Sequence, residues 1–134
     1  MNSNLGHIVF SVAAANMAFY RELLGFLGWD SIYDSPEMLG VGNGGGVSLW
    51  FAPATKGTTN DYDGPGVNHV AIAAESVADV DASVAYLREH AVETLFGTPQ
   101  HRPDFVTDEN QTYYQVMFES PDRILFEVVY TGPK

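Results

Sequence analysis

Two short stretches of the chain repeat one pattern and decide its fold: "GHIVFSVA" at residues 6–13 and "NHVAIAAE" at residues 68–75. In each stretch a histidine opens a run in which bulky apolar residues alternate with smaller or more polar ones. A period of two residues predicts a β-strand with one face packed on a core. Because the pattern occurs twice, the chain is expected to consist of two related modules.

A segment with helical spacing follows each strand. The first segment is expected to end at Gly25, and its apolar face is formed by Met17, Tyr20 and Leu24. The second begins at Ser76 with Asp79 three residues later, a variant of the capping box. Its apolar face is formed by Val80, Val84, Leu87 and Ala91.

Three strand-like segments come after each helix. They cover residues 29–33, 38–41 and 47–51 in the first half, and residues 93–96, 113–118 and 124–130 in the second. Each half is therefore predicted to be a βαβββ module. We expect an α+β fold in which two modules form one curved mixed sheet with the helices on its outer face. A single domain of 134 residues is expected, with module one at about 1–55, a linker at about 56–65 and module two at about 66–134.

The composition excludes several classes of protein. Hydrophobic residues make up 46% of the chain, and the net charge of −11 disfavours contact with nucleic acid. No apolar run is long enough to span a bilayer, so no membrane partner is expected. The chain has no cysteine, which excludes a disulfide framework and fits a cytoplasmic protein.

Strand alternation places three ligand-type side chains on the face opposite the helix-packed one. These are His7, His69 and Glu127, the last in the middle of "ILFEVVY". A carboxylate within an apolar strand is costly to bury unless it is paired. Two imidazoles and one carboxylate form a common set for a divalent metal, with Zn, Fe, Ni, Co or Mn all compatible. The sequence therefore predicts a three-ligand metal site.

A long polar segment at residues 97–114 is the candidate specificity loop. Within it, His101 and Arg102 form a basic pair that could contact a carboxylate or carbonyl group of a substrate. Tyr113 or Tyr114 could donate a hydrogen bond to the substrate. Alternation allows only one of these two tyrosines to face the site.

The same residues resemble the vicinal oxygen chelate superfamily, which includes glyoxalase I, fosfomycin- and bleomycin-resistance proteins and extradiol dioxygenases. The similar stretches are "HIVFSV" with "FYRELLGF", then "NHVAIAAES", and finally "YYQVMFESPDRILFEVV". The resemblance implies a metal held by His7, His69 and Glu127. It places a fourth ligand on "GVSLWFAP", at Trp50, or at Leu49 if the alignment shifts by one. Neither residue binds metal, so the chain departs from the four-ligand pattern.

The resemblance implies a metal-dependent glyoxalase-like lyase or isomerase that acts on a small oxygen-chelating substrate, with Glu127 as metal ligand and base. The alternatives are a non-catalytic protein that sequesters a ligand, as in the bleomycin-resistance branch, or an enzyme like the extradiol dioxygenases or the fosfomycin thiol transferases. The binding protein would use aromatic walls supplied by Trp29, Trp50, Tyr113 and Tyr114. Proteins of this kind often form dimers, so a homodimer is expected.

Overall fold

The computed structural model describes residues 1–134. The chain divides into two compact units, which we name the N-terminal unit (Met1–Thr59) and the C-terminal unit (Asn60–Lys134). Each unit follows the order strand, helix and three strands, which confirms the predicted α+β fold with two βαβββ modules. The eight strands form two four-stranded sheets, whereas one joined sheet was expected.

The N-terminal unit places one helix against a mixed sheet. Its elements are β1 (His7–Val12), α1 (Met17–Phe26), β2 (Asp30–Asp34), β3 (Leu39–Gly42) and β4 (Ser48–Pro53). The strand order is β1-β4-β3-β2, with β1 and β4 parallel and the other pairs antiparallel. The glycine-rich segment between β3 and β4 is the predicted hairpin turn, in which Gly44 and Gly46 have positive φ.

Aromatic rings join α1 to its sheet. The Tyr20 ring stacks on that of Phe51 at 4.6 Å, and the Phe51 ring stacks on that of Phe10 at 5.0 Å between centroids. The predicted apolar face of α1 is therefore buried. The predicted end at Gly25 is wrong, because the helix continues to Phe26 and the chain turns at Gly28, whose φ is 87°.

The C-terminal unit repeats this plan. Its elements are β5 (Val70–Ala73), α2 (Val77–Glu89), β6 (Gln100–His101), β7 (Gln111–Glu119) and β8 (Leu125–Pro133). The strand order is β5-β8-β7-β6, and β5 and β8 are parallel. As in the N-terminal unit, the first and last strands of the module are hydrogen-bonded neighbours.

The second helix begins where the sequence predicts. The Ser76 hydroxyl accepts a hydrogen bond from the backbone N–H of Asp79 at 3.1 Å and caps α2. Its buried face comprises Val80, Val84 and Leu87 as expected, but Ala91 lies beyond the helix with a φ of 56°. Neither α1 nor α2 has the length and hydropathy needed to cross a membrane.

One predicted strand is wrong. Residues 93–96 form only an isolated bridge between Thr94 and Phe118. The chain then turns through Phe96 and Gly97, whose φ values of 57° and 71° are incompatible with an extended strand. The second strand of this module is instead the two-residue β6, which lies inside the segment predicted to be a loop.

Candidate functional site

The parallel pairing of β5 with β8 positions the Glu127 side chain in the C-terminal unit. Ala71 is the register partner of Glu127 on one side, and Met117 is its partner on the other. Residues in register project from the same face of a sheet, so all three side chains lie on the face opposite α2. Glu127 is only 2% exposed. A buried carboxylate requires hydrogen-bonding partners, and the neighbouring strand supplies them.

Two side chains of β7 contact the Glu127 carboxylate. The Tyr113 hydroxyl lies 2.9 Å from Oε1 and 3.0 Å from Oε2, and the Gln115 amide nitrogen donates to Oε2. Tyr113 and Gln115 are two residues apart on one strand and therefore project to the same side. The carboxylate is thus held in a fixed orientation by two donors.

Tyr113 remains a hydrogen-bond donor over the physiological pH range. Burial, followed by the hydrogen bond with Glu127, raises the pKa of Tyr113 to about 12. The nearby guanidinium of Arg102 acts in the opposite direction and lowers this pKa, but with a smaller effect. A phenol with this pKa keeps its proton and continues to donate to the carboxylate.

Gln115 is in turn oriented by Arg102, whose Nη1 donates to the Gln115 Oε1 at 3.3 Å. The guanidinium also pairs with Asp104 at 3.0 Å and stacks over the Phe105 ring at 4.2 Å. With its oxygen facing Arg102, the Gln115 amide must present its nitrogen to Glu127. Arg102 therefore borders the same site as the carboxylate.

His69 lies directly before β5 and approaches the carboxylate from the other side. Its Nε2 is 3.7 Å from Oε1 of Glu127, and its side chain is 37% exposed. Zinc binds imidazole nitrogen and carboxylate oxygen at about 2.0–2.2 Å, so one divalent cation can reach both atoms. These two ligand atoms, His69 Nε2 and Glu127 Oε1, therefore fit a divalent metal as part of a ligand set.

A cavity of about 260 Å³ opens beside this pair. Its wall includes Glu127, Gln115 and Arg102, which are connected by the hydrogen bonds described above, together with apolar side chains. The lining residues that bear on function are His69, Arg102, Phe105, Tyr113, Gln115 and Glu127. A cavity of this size accommodates only a small molecule.

His7 lies in the N-terminal unit, at the start of β1, where its side chain is exposed. Within neither unit do three His, Asp or Glu side chains form a cluster that could hold a metal ion. Of the three predicted ligands, His69 and Glu127 are therefore brought together inside one unit.

The register of β4 shows which of Trp50 and Leu49 corresponds to Glu127 in the repeated module. Trp50 pairs with Val9, two residues after His7, as Glu127 pairs with Ala71, two residues after His69. Trp50 is thus the counterpart of Glu127, while Leu49 packs into the core. The Trp50 indole N–H donates a hydrogen bond to the Ser48 hydroxyl at 2.9 Å.

The Trp50 ring lies flat over a glycine. A Cβ added at Gly40 would lie 2.6 Å from the ring, so only glycine leaves room for it. The Tyr33 ring flanks the indole at 6.1 Å between centroids. The face of the N-terminal sheet that carries His7 therefore presents an aromatic surface.

His101 and Tyr114 are not brought to the Glu127 cavity. The Tyr114 hydroxyl donates to Asp81 of α2 at 2.7 Å, on the opposite face of the sheet from Tyr113. The His101 ring packs against Tyr114 at 4.5 Å, and its Nδ1 is 2.5 Å from the Thr112 hydroxyl. His101 and Arg102 are consecutive in an extended segment, so their side chains point to opposite faces.

Charge is distributed unequally between the two units. Thirteen of the 17 acidic residues lie in the C-terminal unit, against four of the 6 basic residues. The unit that contains the His69–Glu127 pair is therefore strongly anionic. Such a field favours cations near the site and disfavours ligands with several negative charges.

Sequence reasoning missed Gln115 as a residue of the site. Alternation alone could have found it, because Gln115 lies two residues after Tyr113 on β7 and shares its face. A glutamine in a strand is usually interpreted as a surface residue, yet this one is 3% exposed. Its polar side chain is explained by the buried Glu127 carboxylate and by Arg102, which bond to the two ends of its amide.

Two repeated βαβββ units, one with a histidine–carboxylate pair beside a small cavity, define a paired-module protein. Residues 4–128 match the family model described as the glyoxalase/bleomycin resistance protein/dioxygenase superfamily. The chain belongs to this superfamily. A search among curated proteins finds no significant match.

Solved structures of the same fold are similar over nearly the whole chain. A Bacillus halodurans protein, provisionally assigned as a glyoxalase, is 27% identical, with a TM-score of 0.77 and 94% of each chain covered. The fosfomycin resistance protein FosX from Listeria monocytogenes is 21% identical, with a TM-score of 0.66 and 97% and 94% covered. A variant of that protein complexed with Mn(II) and 1S,2S-dihydroxypropylphosphonic acid is 22% identical, with a TM-score of 0.65 and 96% and 90% covered.

Proposed function

We propose that this protein is a divalent-metal-dependent enzyme, a glyoxalase-like lyase or isomerase that acts on a small substrate with neighbouring oxygen atoms. His7, His69 and Glu127 would hold the metal. The observation that carries the proposal is the buried Glu127 carboxylate, fixed by Tyr113 and Gln115, with His69 Nε2 only 3.7 Å away at the wall of a cavity.

The Glu127 carboxylate and the two side chains that bond to it have defined tasks in this proposal. A bound divalent cation would supply Lewis acidity to the substrate oxygens. Glu127 would accept a proton from one substrate carbon at a carboxylate oxygen and return it to the neighbouring carbon, while the electron pair of the broken C–H bond is held on the substrate oxygens. The Tyr113 hydroxyl keeps the carboxylate in place. Gln115, on the same strand as Tyr113, limits the rotation of the same carboxylate through its hydrogen bond to Oε2.

Arg102 is the candidate contact for a substrate carboxylate or carbonyl group. It is the arginine of the cavity wall, and its guanidinium is already held by Asp104, Gln115 and the Phe105 ring. Because it is held on three sides, its position is fixed before a substrate binds. One negative group on the substrate suits this single cation.

The test is metal analysis of the full chain purified without chelators, followed by turnover assays with methylglyoxal–thiol adducts, fosfomycin and catechols. We expect one divalent ion per chain, and loss of most of it in the double variant His7→Ala, His69→Ala. His90→Ala is the matched control, because His90 is the C-terminal cap of α2 and its side chain bonds to the Tyr86 carbonyl and stacks on the Tyr86 ring, outside the cavity wall. Full metal content in the double variant would refute the proposal. Turnover of fosfomycin or of a catechol would instead assign the site to the transferase-like or dioxygenase-like alternative.

A second candidate is a non-catalytic protein that sequesters a ligand. The observation that favours it is Trp50, which stands at the position equivalent to Glu127 and forms an aromatic surface with Tyr33. This function predicts no stoichiometric metal, and a change in tryptophan fluorescence when a planar ligand binds. Metal analysis and fluorescence titration of the same sample distinguish the two functions.

We further propose that the protein acts as a cytoplasmic homodimer. The support is the absence of cysteine and the position of β1 and β5 at sheet edges, where their outer backbone groups can pair with another chain. Sedimentation equilibrium should give twice the mass of the 14.6 kDa chain. A mass of one chain at micromolar concentration would refute the dimer.

A further inference from the structure

Asn68 lies between His69 and the backbone of the preceding segment. Its Nδ2 donates to the carbonyl oxygen of Tyr62 at 2.9 Å, and its Oδ1 lies 2.9 Å from Nδ1 of His69. No role for Asn68 follows from the sequence alone. Both ends of its amide are engaged, and one of the partners is the proposed metal ligand.

The Tyr62 carbonyl determines which way the Asn68 amide points. A carbonyl oxygen can only accept, so the amide nitrogen must face Tyr62 and the amide oxygen must face His69. That oxygen also can only accept, so Nδ1 of His69 must carry the proton. The neutral imidazole then has its lone pair on Nε2, the nitrogen that faces Glu127.

We propose that Asn68 is a positioning residue that selects the Nδ1–H tautomer of His69 and so prepares Nε2 to bind a cation together with Glu127. This inference rests on the proposed metal-dependent function. In this tautomer Nε2 and Oε1 of Glu127 are two acceptor atoms 3.7 Å apart, and a cation between them would satisfy both. A hydrogen bond to the remote ring nitrogen also fixes the plane of the imidazole.

The segment that carries Asn68 is anchored to the β7–β8 turn. The Tyr62 ring is 8% exposed, its hydroxyl donates to Glu119 at 2.6 Å, and the Arg123 guanidinium stacks on it at 4.7 Å. Arg123 has a φ of 58°, so the turn adopts a conformation that favours glycine while keeping this side chain on Tyr62. The Tyr62 carbonyl is thereby a fixed reference for Asn68.

The experiment is long-range ¹H–¹⁵N NMR of the metal-free full chain, which identifies the protonated nitrogen of each histidine, followed by Mn(II) titration. In the wild type we expect the Nδ1–H tautomer at His69. Asn68→Leu should shift His69 toward Nε2–H and weaken Mn(II) binding about 10–100-fold. Asn68→Asp, which keeps the acceptor oxygen, should restore the Nδ1–H tautomer and most of the affinity.

Two controls separate positioning from folding. His90 also donates from Nδ1, to the Tyr86 carbonyl at 2.8 Å, so its spectrum should be unchanged in every variant. Asn60→Leu removes another anchor of the same segment, the 3.0 Å bond to the Arg123 carbonyl, and should leave the His69 tautomer as in the wild type.

The two proposals fail in different ways. An Nε2–H tautomer in the wild type, or an Nδ1–H tautomer that persists in Asn68→Leu, would overturn the role of Asn68. A wild-type chain with the Nδ1–H tautomer that binds none of Zn(II), Fe(II), Ni(II), Co(II) and Mn(II) would support the selection of the tautomer by Asn68 and overturn the metal-dependent function.

Discussion

The two units of the chain share a backbone plan and differ in the chemistry at one equivalent position. On β4 of the N-terminal unit this position is Trp50, and on β8 of the C-terminal unit it is Glu127. Each pairs with the residue two places after a histidine. The repeat therefore specifies where a side chain projects, and the residue type decides what that position does.

The surroundings of the two positions differ accordingly. The antiparallel neighbour of Trp50 is Gly40, which leaves room for the indole, whereas the neighbour of Glu127 is Met117. The parallel neighbours are Val9, which is 57% exposed, and the smaller Ala71. One position has become an aromatic wall, and the other a buried carboxylate that needs hydrogen-bond donors.

The largest effect is expected from neutralising Glu127. Glu127→Gln keeps the shape of the side chain but removes the proposed base, and should lower kcat by about 10²–10⁴-fold on the substrate identified by the assays. Trp50→Phe at the equivalent position keeps an aromatic ring but removes part of the apolar contact and the indole hydrogen bond to Ser48, and should act mainly through KM. Steady-state kinetics of both variants provide the measurement.

Glu75→Gln is the matched control for this comparison, since Glu75 is exposed and lies outside the cavity. It should have the kinetics of the wild type. If Glu127→Gln retains the wild-type kcat, the functional difference between the two units disappears and the aromatic binding surface becomes the better candidate site.

A smaller effect is expected from filling the space beneath Trp50. Gly40→Ala places a methyl group 2.6 Å from the indole, and should lower the free energy of unfolding by about 1–3 kcal/mol and shift the tryptophan emission. Urea denaturation followed by fluorescence measures both quantities. Gly25→Ala should instead stabilise by about 0.5–1 kcal/mol, because that position is helical and has nothing within 4 Å. Equal stability of the two variants would contradict the close contact.

The smallest effect concerns alkaline stability of the C-terminal unit. The pKa of Tyr113 is about 12 in the folded chain, against about 10 when unfolded. Between these values the unfolded tyrosine has lost its proton while the folded one has kept it, so stability falls as pH rises through this window. Tyr113→Phe should reduce the slope of stability against pH between about 10 and 12. Urea unfolding midpoints measured across this pH window check the prediction. A slope of stability against pH that is the same in Tyr113→Phe and the wild type would contradict it.

Much of the fold follows from alternation and helical spacing. The period of two in "GHIVFSVA" and "NHVAIAAE" correctly separates the core face from the face that carries His7 and Glu127. Helical spacing correctly places Met17, Tyr20 and Leu24 in the core. These signals are reliable because burial is cooperative along an element, so a single exception does not hide the pattern.

The errors lie where the chain leaves regular geometry. Phe96 is apolar and looks like a strand residue, but its positive φ ends the extended segment. Only glycine commonly indicates a positive φ in a sequence, so the conformation of Phe96 could not be predicted. The roles of Asn68 and Gln115 were missed for another reason. Each acts by orienting a neighbour through an amide whose direction is set by a third group, and such a chain of contacts exists only after folding.

The concentration of acidic residues in the C-terminal unit has a kinetic consequence. A surface of this charge gathers an atmosphere of counterions, and divalent cations are enriched in it more than monovalent ones. Delivery of a cation to the His69–Glu127 pair should therefore be fast in dilute buffer and slow as the Debye length contracts to about 8 Å at physiological ionic strength. The charge that repels polyanions from this chain would thus concentrate near the site the divalent ion that the proposed function requires.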